Sequence, residues 1–197
     1  LEQRKGYLGK DEKIETIYFG GGTPSLLTVA EIASLLEKIQ SLFTVETDAE
    51  ITLEANPDNI ATAQLKPWRA LGINRLSIGV QSFFDEDLHY MNRAHDGAAA
   101  ERSIVEARAA GFDNITMDLI YGTPGLSDAR WLQNLEKARD LGVGHLSCYA
   151  LTLEKDTPLD HLIRLIAYGL RADPCGIVQG SPPRSDSFPG SVLSPGL

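Results

Sequence analysis

The sequence predicts an α/β fold built on a parallel sheet, and three observations carry that expectation. Short apolar, β-branched runs alternate with segments of helical period along most of the chain. The pairs Leu71-Gly72, Ala110-Gly111 and Leu141-Gly142 each close a helix-patterned segment just before the next apolar run. Polar residues gather where the apolar runs end, at Thr23, Glu54, Gln81, Asp118 and Tyr149. Strands separated by helices pair in parallel, in a sheet that is either open or curled into a barrel. In both arrangements ligands bind at the C-terminal edge of the strands.

The elements follow in order. Residues 14–19 read as a first strand, broken by Gly20-Gly21-Gly22. Thr28 and Glu31 have the spacing of a capping box, in which each side chain satisfies an amide at a helix start. Ile32, Leu35, Leu36, Ile39 and Phe43 then mark one apolar helix face. Residues 51–53 form a short second strand ending at Glu54. The next helix carries Leu65, Trp68 and Leu71, and Pro67 is expected to kink or shorten it. Residues 75–80 are a third strand, and residues 103–110 belong to a third long helix. Residues 115–121 are a fourth strand. Ser127 caps a helix bearing Trp131, Leu132, Leu135, Ala138 and Leu141, and residues 145–153 are a fifth strand.

Composition narrows the function classes. The 197 residues are 43% hydrophobic, enough for one domain with a core. Net charge is −9, and no stripe of Lys and Arg offers a nucleic-acid footprint. No apolar run is long enough to span a bilayer as a helix. Residues 1–5 lack the apolar stretch of a signal peptide. The two cysteines, Cys148 and Cys175, make neither a disulfide framework nor a metal knuckle, so a reducing, cytoplasmic setting is expected. From about residue 165 the pattern changes. Pro174, Pro182, Pro183, Pro189 and Pro195 punctuate a stretch without Lys and without amphipathic period. Residues 1–164 are therefore read as the folded part, and 165–197 as a disordered or non-native tail.

Each candidate site residue has a plain reading beside the functional one. Gly20-Gly21-Gly22-Thr23-Pro24 lies between a strand and a capped helix, where glycines let backbone amides approach an anionic group. It is neither a P-loop nor Gly-x-Gly-x-x-Gly, and by itself a tight βα turn explains it. Glu54 by itself is a solvated strand-end carboxylate, or an acceptor for hydroxyls or an amine. Gln81 suits a neutral polar group, or anchors a loop. Arg93 is a surface cation or a carboxylate partner. Asp118 sits inside an apolar strand and needs a partner, because burying a carboxylate unpaired is costly. The four histidines, His89, His95, His145 and His161, are too scattered for a metal site and are expected in surface or capping roles. Cys148 is expected to pack as a small hydrophobe.

Taken in order, five motifs are more specific than any one of them. These are Gly-Gly-Gly-Thr-Pro-Ser at 20–25, Leu-Glu-Ala-Asn-Pro at 53–57, and Leu-Ser-Ile-Gly-Val-Gln-Ser-Phe at 76–83. Asp-Leu-Ile-Tyr-Gly-x-Pro-Gly at 118–125 and Tyr-Ala-Leu-Thr-Leu-Glu at 149–154 complete the set. Over residues 10–164 the set resembles the radical S-adenosylmethionine (SAM) family of oxygen-independent coproporphyrinogen III oxidases and their heme-chaperone relatives. Gln81-Ser82-Phe83 and Glu54-Ala55-Asn56-Pro57 look more like the heme-chaperone (HemW) branch than the oxidase branch. The resemblance implies a partial (βα)6 TIM-like barrel. It implies that Gly21, Gly22 and Thr23 hold the methionine part of SAM, with Glu54, Gln81, Arg93, Asp118 and Ala150 around the rest. For the full-length protein it implies a [4Fe–4S] cluster, heme or porphyrin as ligand and a heme-receiving protein as partner; the alternatives are the oxidase and a non-catalytic βα domain.

The sequence also departs from the family pattern. The Cys-x-x-x-Cys-x-x-Cys whose thiolates hold the cluster is absent, as is the downstream His-Asn-x-x-Tyr-Trp heme motif. The expectation is a family fragment whose first strand is missing, with a frameshift or assembly error replacing the rest after Arg164. Radical chemistry is accordingly not expected of these 197 residues, and no residue is singled out as catalytic.

Overall fold

A computed structural model describes residues 1–9, 12–152 and 161. The expected tail, 165–197, and the end of the expected fifth strand lie outside the described residues. Residues Leu1–Leu151 form one unit. Within it, strands β1 (Lys13–Phe19), β2 (Thr44–Ala55), β3 (Arg75–Gln81), β4 (Asn114–Tyr121) and β5 (His145–Ala150) alternate with helices. Helix α1 (Val29–Leu42) joins β1 to β2, and α2 (Thr62–Ala70) joins β2 to β3. Helices α3 (Asp85–Tyr90) and α4 (Gly97–Ala109) join β3 to β4, and α5 (Asp128–Asp140) joins β4 to β5.

All neighbouring strands are parallel, and sheet order follows chain order. Each crossover therefore steps in the same direction. Right-handed crossovers then lay every helix on one face. The result is a curled half-barrel, which decides between the open and curled sheets that the sequence left standing.

The register fixes which residues share a face. Thr52 lies beside Arg75, Glu54 beside Ser77, Ser77 beside Thr116, and Asp118 beside Ser147. Side chains alternate along a strand, so these residues form a polar inner face. The intervening Ile51, Leu53, Leu76, Ile78, Val80, Ile115, Met117 and Leu119 face the helices and are buried. They pack with Ile32, Leu36, Leu65, Trp68, Ile73, Ile104 and Phe112 into one core. Each fully buried side chain of this size contributes roughly 1.5–3 kcal/mol. On the inner face the polar groups pair with one another. The Arg75 guanidinium donates to Glu50 and to the Thr116 hydroxyl, both at 2.7 Å.

Several local expectations hold. Thr28 and Glu31 form the capping box, and the Ser127 hydroxyl accepts the Arg130 amide at 3.3 Å. Gly72, Gly111 and Gly142 all have positive φ directly after helices. Other expectations need correcting. β2 runs twelve residues, because its polar first half is extended as well: Thr44 and Val45 pair with Lys13 and Ile14, and Glu50 pairs with Thr16 after a register shift. The short helix α3 was not expected. Leu35 is 38% exposed, since Ile32, Leu36, Ile39 and Phe43 define the face centre and Leu35 falls at its margin. Leu132 is likewise exposed, and Asn134 takes the buried position on α5. Cys148 is exposed instead of packed, on β5, the last strand of the sheet among the described residues. His95 is buried, with Nε2 3.0 Å from the Val80 carbonyl oxygen, so it serves neither as a surface nor as a capping residue. Among the described residues, no helix is long and apolar enough to cross a membrane.

Candidate functional site

The C-terminal ends of β1 to β4 meet around one small cleft. It is lined by Gly22, Thr23 and Pro24 after β1, by Glu54, Ala55 and Asn56 at the end of β2, by Ser77, Gly79 and Gln81 on β3, and by Asp118 on β4. Its volume is about 130 Å³. That suits the polar end of a ligand; a whole cofactor, at about 300–1,000 Å³ of pocket, would extend over the open inner face.

Each element delivers its residue for a local reason. Gly21 and Gly22 have φ of +87° and +62°, and a Cβ added at either would meet nothing within 4 Å. The turn thus presents bare backbone to open space, where a ligand can approach closely. Glu54 is held at the edge by two donors: the Tyr18 hydroxyl at 2.8 Å and the Gly21 amide at 2.9 Å. Gly20 makes room for this arrangement, since a Cβ there would lie 2.5 Å from the Tyr18 ring. Gln81 has φ +67°, rare for a residue with a side chain, and the β3–β4 register shifts between Ile78 and Gln81. Strain of this kind costs about 1–3 kcal/mol and collects at functional positions. Gly79 lets Gln81 and Asn56 lie over its backbone: a Cβ would sit 2.7 Å from Gln81 Nε2 and 3.1 Å from Asn56 Oδ1.

The electrostatics follow from the half-buried inner face. Burial pushes the Asp118 carboxyl above its ordinary value, the neighbouring Ser147 hydroxyl opposes this, and the nearby Glu54 charge adds to it. Burial also raises the Tyr18 phenol, and the hydrogen bond to Glu54 acts in the same sense. For Asp118 the folded chain holds its proton to higher pH than the unfolded chain does. Stability therefore falls as pH rises through the window between the unfolded and folded values, and the penalty is complete above it. Asp118→Asn removes the penalty. The variant is expected to unfold at higher denaturant than wild type at pH 7, with the difference vanishing at about pH 3, below the ordinary Asp range. Equal midpoints at pH 7 would contradict this.

Of the eight expected residues, Gly22, Thr23, Glu54, Gln81 and Asp118 line the cleft, and Gly21 adjoins it through Glu54. Arg93 and Ala150 do not line it. Arg93 follows α3, with its amide bonded to the Leu88 carbonyl, and Ala150 is exposed at the end of β5. Sequence reading did not single out Tyr18, Asn56, Ser77 or Gly79. The available signal was the two-residue alternation Thr52/Glu54/Asn56 and Ser77/Gly79/Gln81, polar or small positions interleaved with apolar ones.

The donor set fits SAM in kind. Carboxylates meet an amine or ribose hydroxyls, an amide meets an adenine edge, and open glycine backbone meets a carboxylate. It does not fit an iron–sulfur cluster, which needs several thiolates. Among the described residues no group of three His, Cys, Asp or Glu could hold a metal ion. A larger groove outside the barrel, between α4 and α5, contains none of the expected residues.

Comparison with known proteins agrees with the fold. A family profile, that of the Radical SAM superfamily, matches residues 2–138. A heme chaperone HemW of Mycobacterium tuberculosis is 40% identical over 151 residues, covering 77% of this chain and 39% of that protein. The mouse protein named radical S-adenosyl methionine domain-containing protein 1, mitochondrial, is 40% identical over 148 residues, 75% of this chain and 34% of its own length. The chain thus spans about two fifths or less of these relatives. Among solved structures, the coproporphyrinogen III oxidase HemN of Escherichia coli, described as a radical SAM enzyme, superposes with a TM-score of 0.66 at 31% identity. That superposition covers 79% of this chain and 40% of the enzyme.

Proposed function

This chain belongs to the Radical SAM superfamily, and from that membership we propose that its cleft is the SAM-binding part of a HemW-type heme chaperone. The observation that carries the proposal is the convergence of Gly22, Thr23, Glu54, Gln81 and Asp118 from four successive strand ends on one cleft. In this reading Gly21, Gly22 and Thr23 hold the methionine end. Glu54, Gln81 and Asp118 bind the remaining polar groups, and Arg93 and Ala150 join only once a ligand extends beyond the small cavity. When bound in the full-length protein, the cluster would supply an electron to SAM; the residues here bind and orient the cofactor and supply no cluster ligand. Heme and a heme-receiving partner belong to the full-length protein, and a reducing compartment such as the cytoplasm suits the exposed Cys148 thiol.

Titration of SAM into the 197-residue chain tests the reading. Saturable binding at one site is expected, weakened about tenfold by Asp118→Asn or Glu54→Gln, as loss of about 1.4 kcal/mol of polar contact implies. Absence of binding, or variants that bind as wild type does, would overturn it. A second reading, the oxidase, has the 31% identity to HemN in its favour. The branch choice rests on the higher identity to HemW proteins and on Gln81-Ser82-Phe83 and Glu54-Ala55-Asn56-Pro57. Heme binding without turnover of coproporphyrinogen by a full-length protein carrying this sequence supports the chaperone; vinyl formation would support the oxidase.

A further inference from the structure

Gln81 is the central residue of a tight turn. The Ser82 amide donates to the Val80 carbonyl at 2.9 Å, two residues back, while Gln81 itself sits at φ +67°. A three-residue turn with positive φ is rare and strained, and it persists only where its surroundings enforce it. Two sets of buried contacts do so here.

On the near side is His95, whose side chain is 1% exposed. Its Nε2 lies 3.0 Å from the same Val80 carbonyl. A carbonyl oxygen only accepts, so the ring donates from Nε2, and the second lone pair of Val80 is occupied as the first is by Ser82. On the far side, the Ser82 hydroxyl donates to Asp87 at 2.8 Å and accepts the Phe84 amide at 3.1 Å. Asn134 on α5 accepts the Phe83 amide at 2.8 Å and donates to the Ser82 hydroxyl at 3.2 Å. Thr123, in the β4–α5 loop, donates to the other Asp87 oxygen at 3.1 Å. Ser82, Asp87, Thr123 and Asn134 are all buried. A satisfied buried network of this kind is rigid, whereas loss of one partner leaves others unpaired.

We propose that His95 and the Ser82–Asp87–Asn134 cluster are positioning residues that clamp the strained turn on both sides, so that the Gln81 carboxamide is preset toward the cleft before ligand arrives. The assignment of that ligand as SAM rests on the function proposed above; the clamp itself does not. Neither His95 nor Asp87 lines the cleft. They act through the backbone of Gln81.

The test uses the 197-residue chain as wild type, His95→Leu and His95→Gln, each with and without Gln81→Ala. Without ligand, hydrogen exchange of the Ser82 amide and the Gln81 side-chain amide resonances report the turn directly. His95→Leu is expected to speed Ser82 exchange and to weaken SAM binding, each about tenfold, the equivalent of one lost hydrogen bond. His95→Gln keeps a terminal NH donor and should stay within about threefold of wild type on the same scale. In the Gln81→Ala background His95→Leu should cost no further affinity, because coupled residues are not additive. Unchanged Ser82 exchange in His95→Leu, or an affinity loss that persists in full without the Gln81 side chain, would sink the proposal. If His95→Leu does not fold, Ser82→Ala releases the turn from the other side and is expected to give the same exchange and coupling pattern. If wild type binds no SAM, the SAM reading fails, and the ligand-free exchange and resonances still decide for or against the clamp.

Discussion

Gly79→Ala is expected to reduce SAM affinity at least tenfold, about 1.4 kcal/mol, while leaving the fold intact. The added methyl would lie 2.7 Å from Gln81 Nε2 and 3.1 Å from Asn56 Oδ1. Both atoms are the ends of flexible side chains, so they move aside at little cost to the fold. Moving them re-aims the two amides that line the cleft. Alanine is also the better strand residue, by about 0.5–1 kcal/mol relative to glycine, which offsets the crowding. SAM titration and denaturant unfolding, run side by side, separate the two effects. Wild-type affinity in this variant would mean that neither amide needs its present position.

Gly97→Ala is expected to do the reverse and cost about 3 kcal/mol of stability, at the upper end for overpacking. Its Cβ would overlap the Phe83 carbonyl oxygen and lie 2.9 Å from the Phe83 carbonyl carbon. These are backbone atoms, which cannot swing away. The Gly97 amide also donates to Asp85 at 2.8 Å, so displacing the start of α4 breaks a second contact. Unfolding midpoints measure the loss. A cost below about 1 kcal/mol would mean that α4 can slide away from the β3–α3 turn without strain.

Much of the fold was legible because it depends on local chemistry. Thr28 and Glu31 satisfy amides within one turn, and Gly72, Gly111 and Gly142 adopt positive φ next to the helices they end. Apolar runs fixed the core of β3 and β4. What was not legible depends on neighbours far along the chain. The polar half of β2 carries no apolar pattern, and only its ends, Thr44, Val45 and Glu50, pair with β1 across a register shift. His95 and Asn134 look like surface residues in sequence, yet each is buried, its polar atoms engaged by β3 or the turn that follows. Cys148 looks like a core residue, but nothing in its apolar surroundings in sequence reveals that it is exposed on β5, the last strand of the sheet among the described residues.

The site divides along the same line. Local pattern in the chain identifies the chemical groups at the strand ends: glycine backbone, the Glu54 and Asp118 carboxylates, and the Gln81 amide. Those identities follow from motifs a few residues long, where alternation and turn chemistry act locally. That a chain-ordered parallel sheet curls these ends around one cleft, that Tyr18 holds Glu54, and that Gln81 sits in a strained turn emerges from the folded chain. Curvature, register and the clamping of a strained turn arise from contacts between residues tens of positions apart, and short-range pattern carries no record of them.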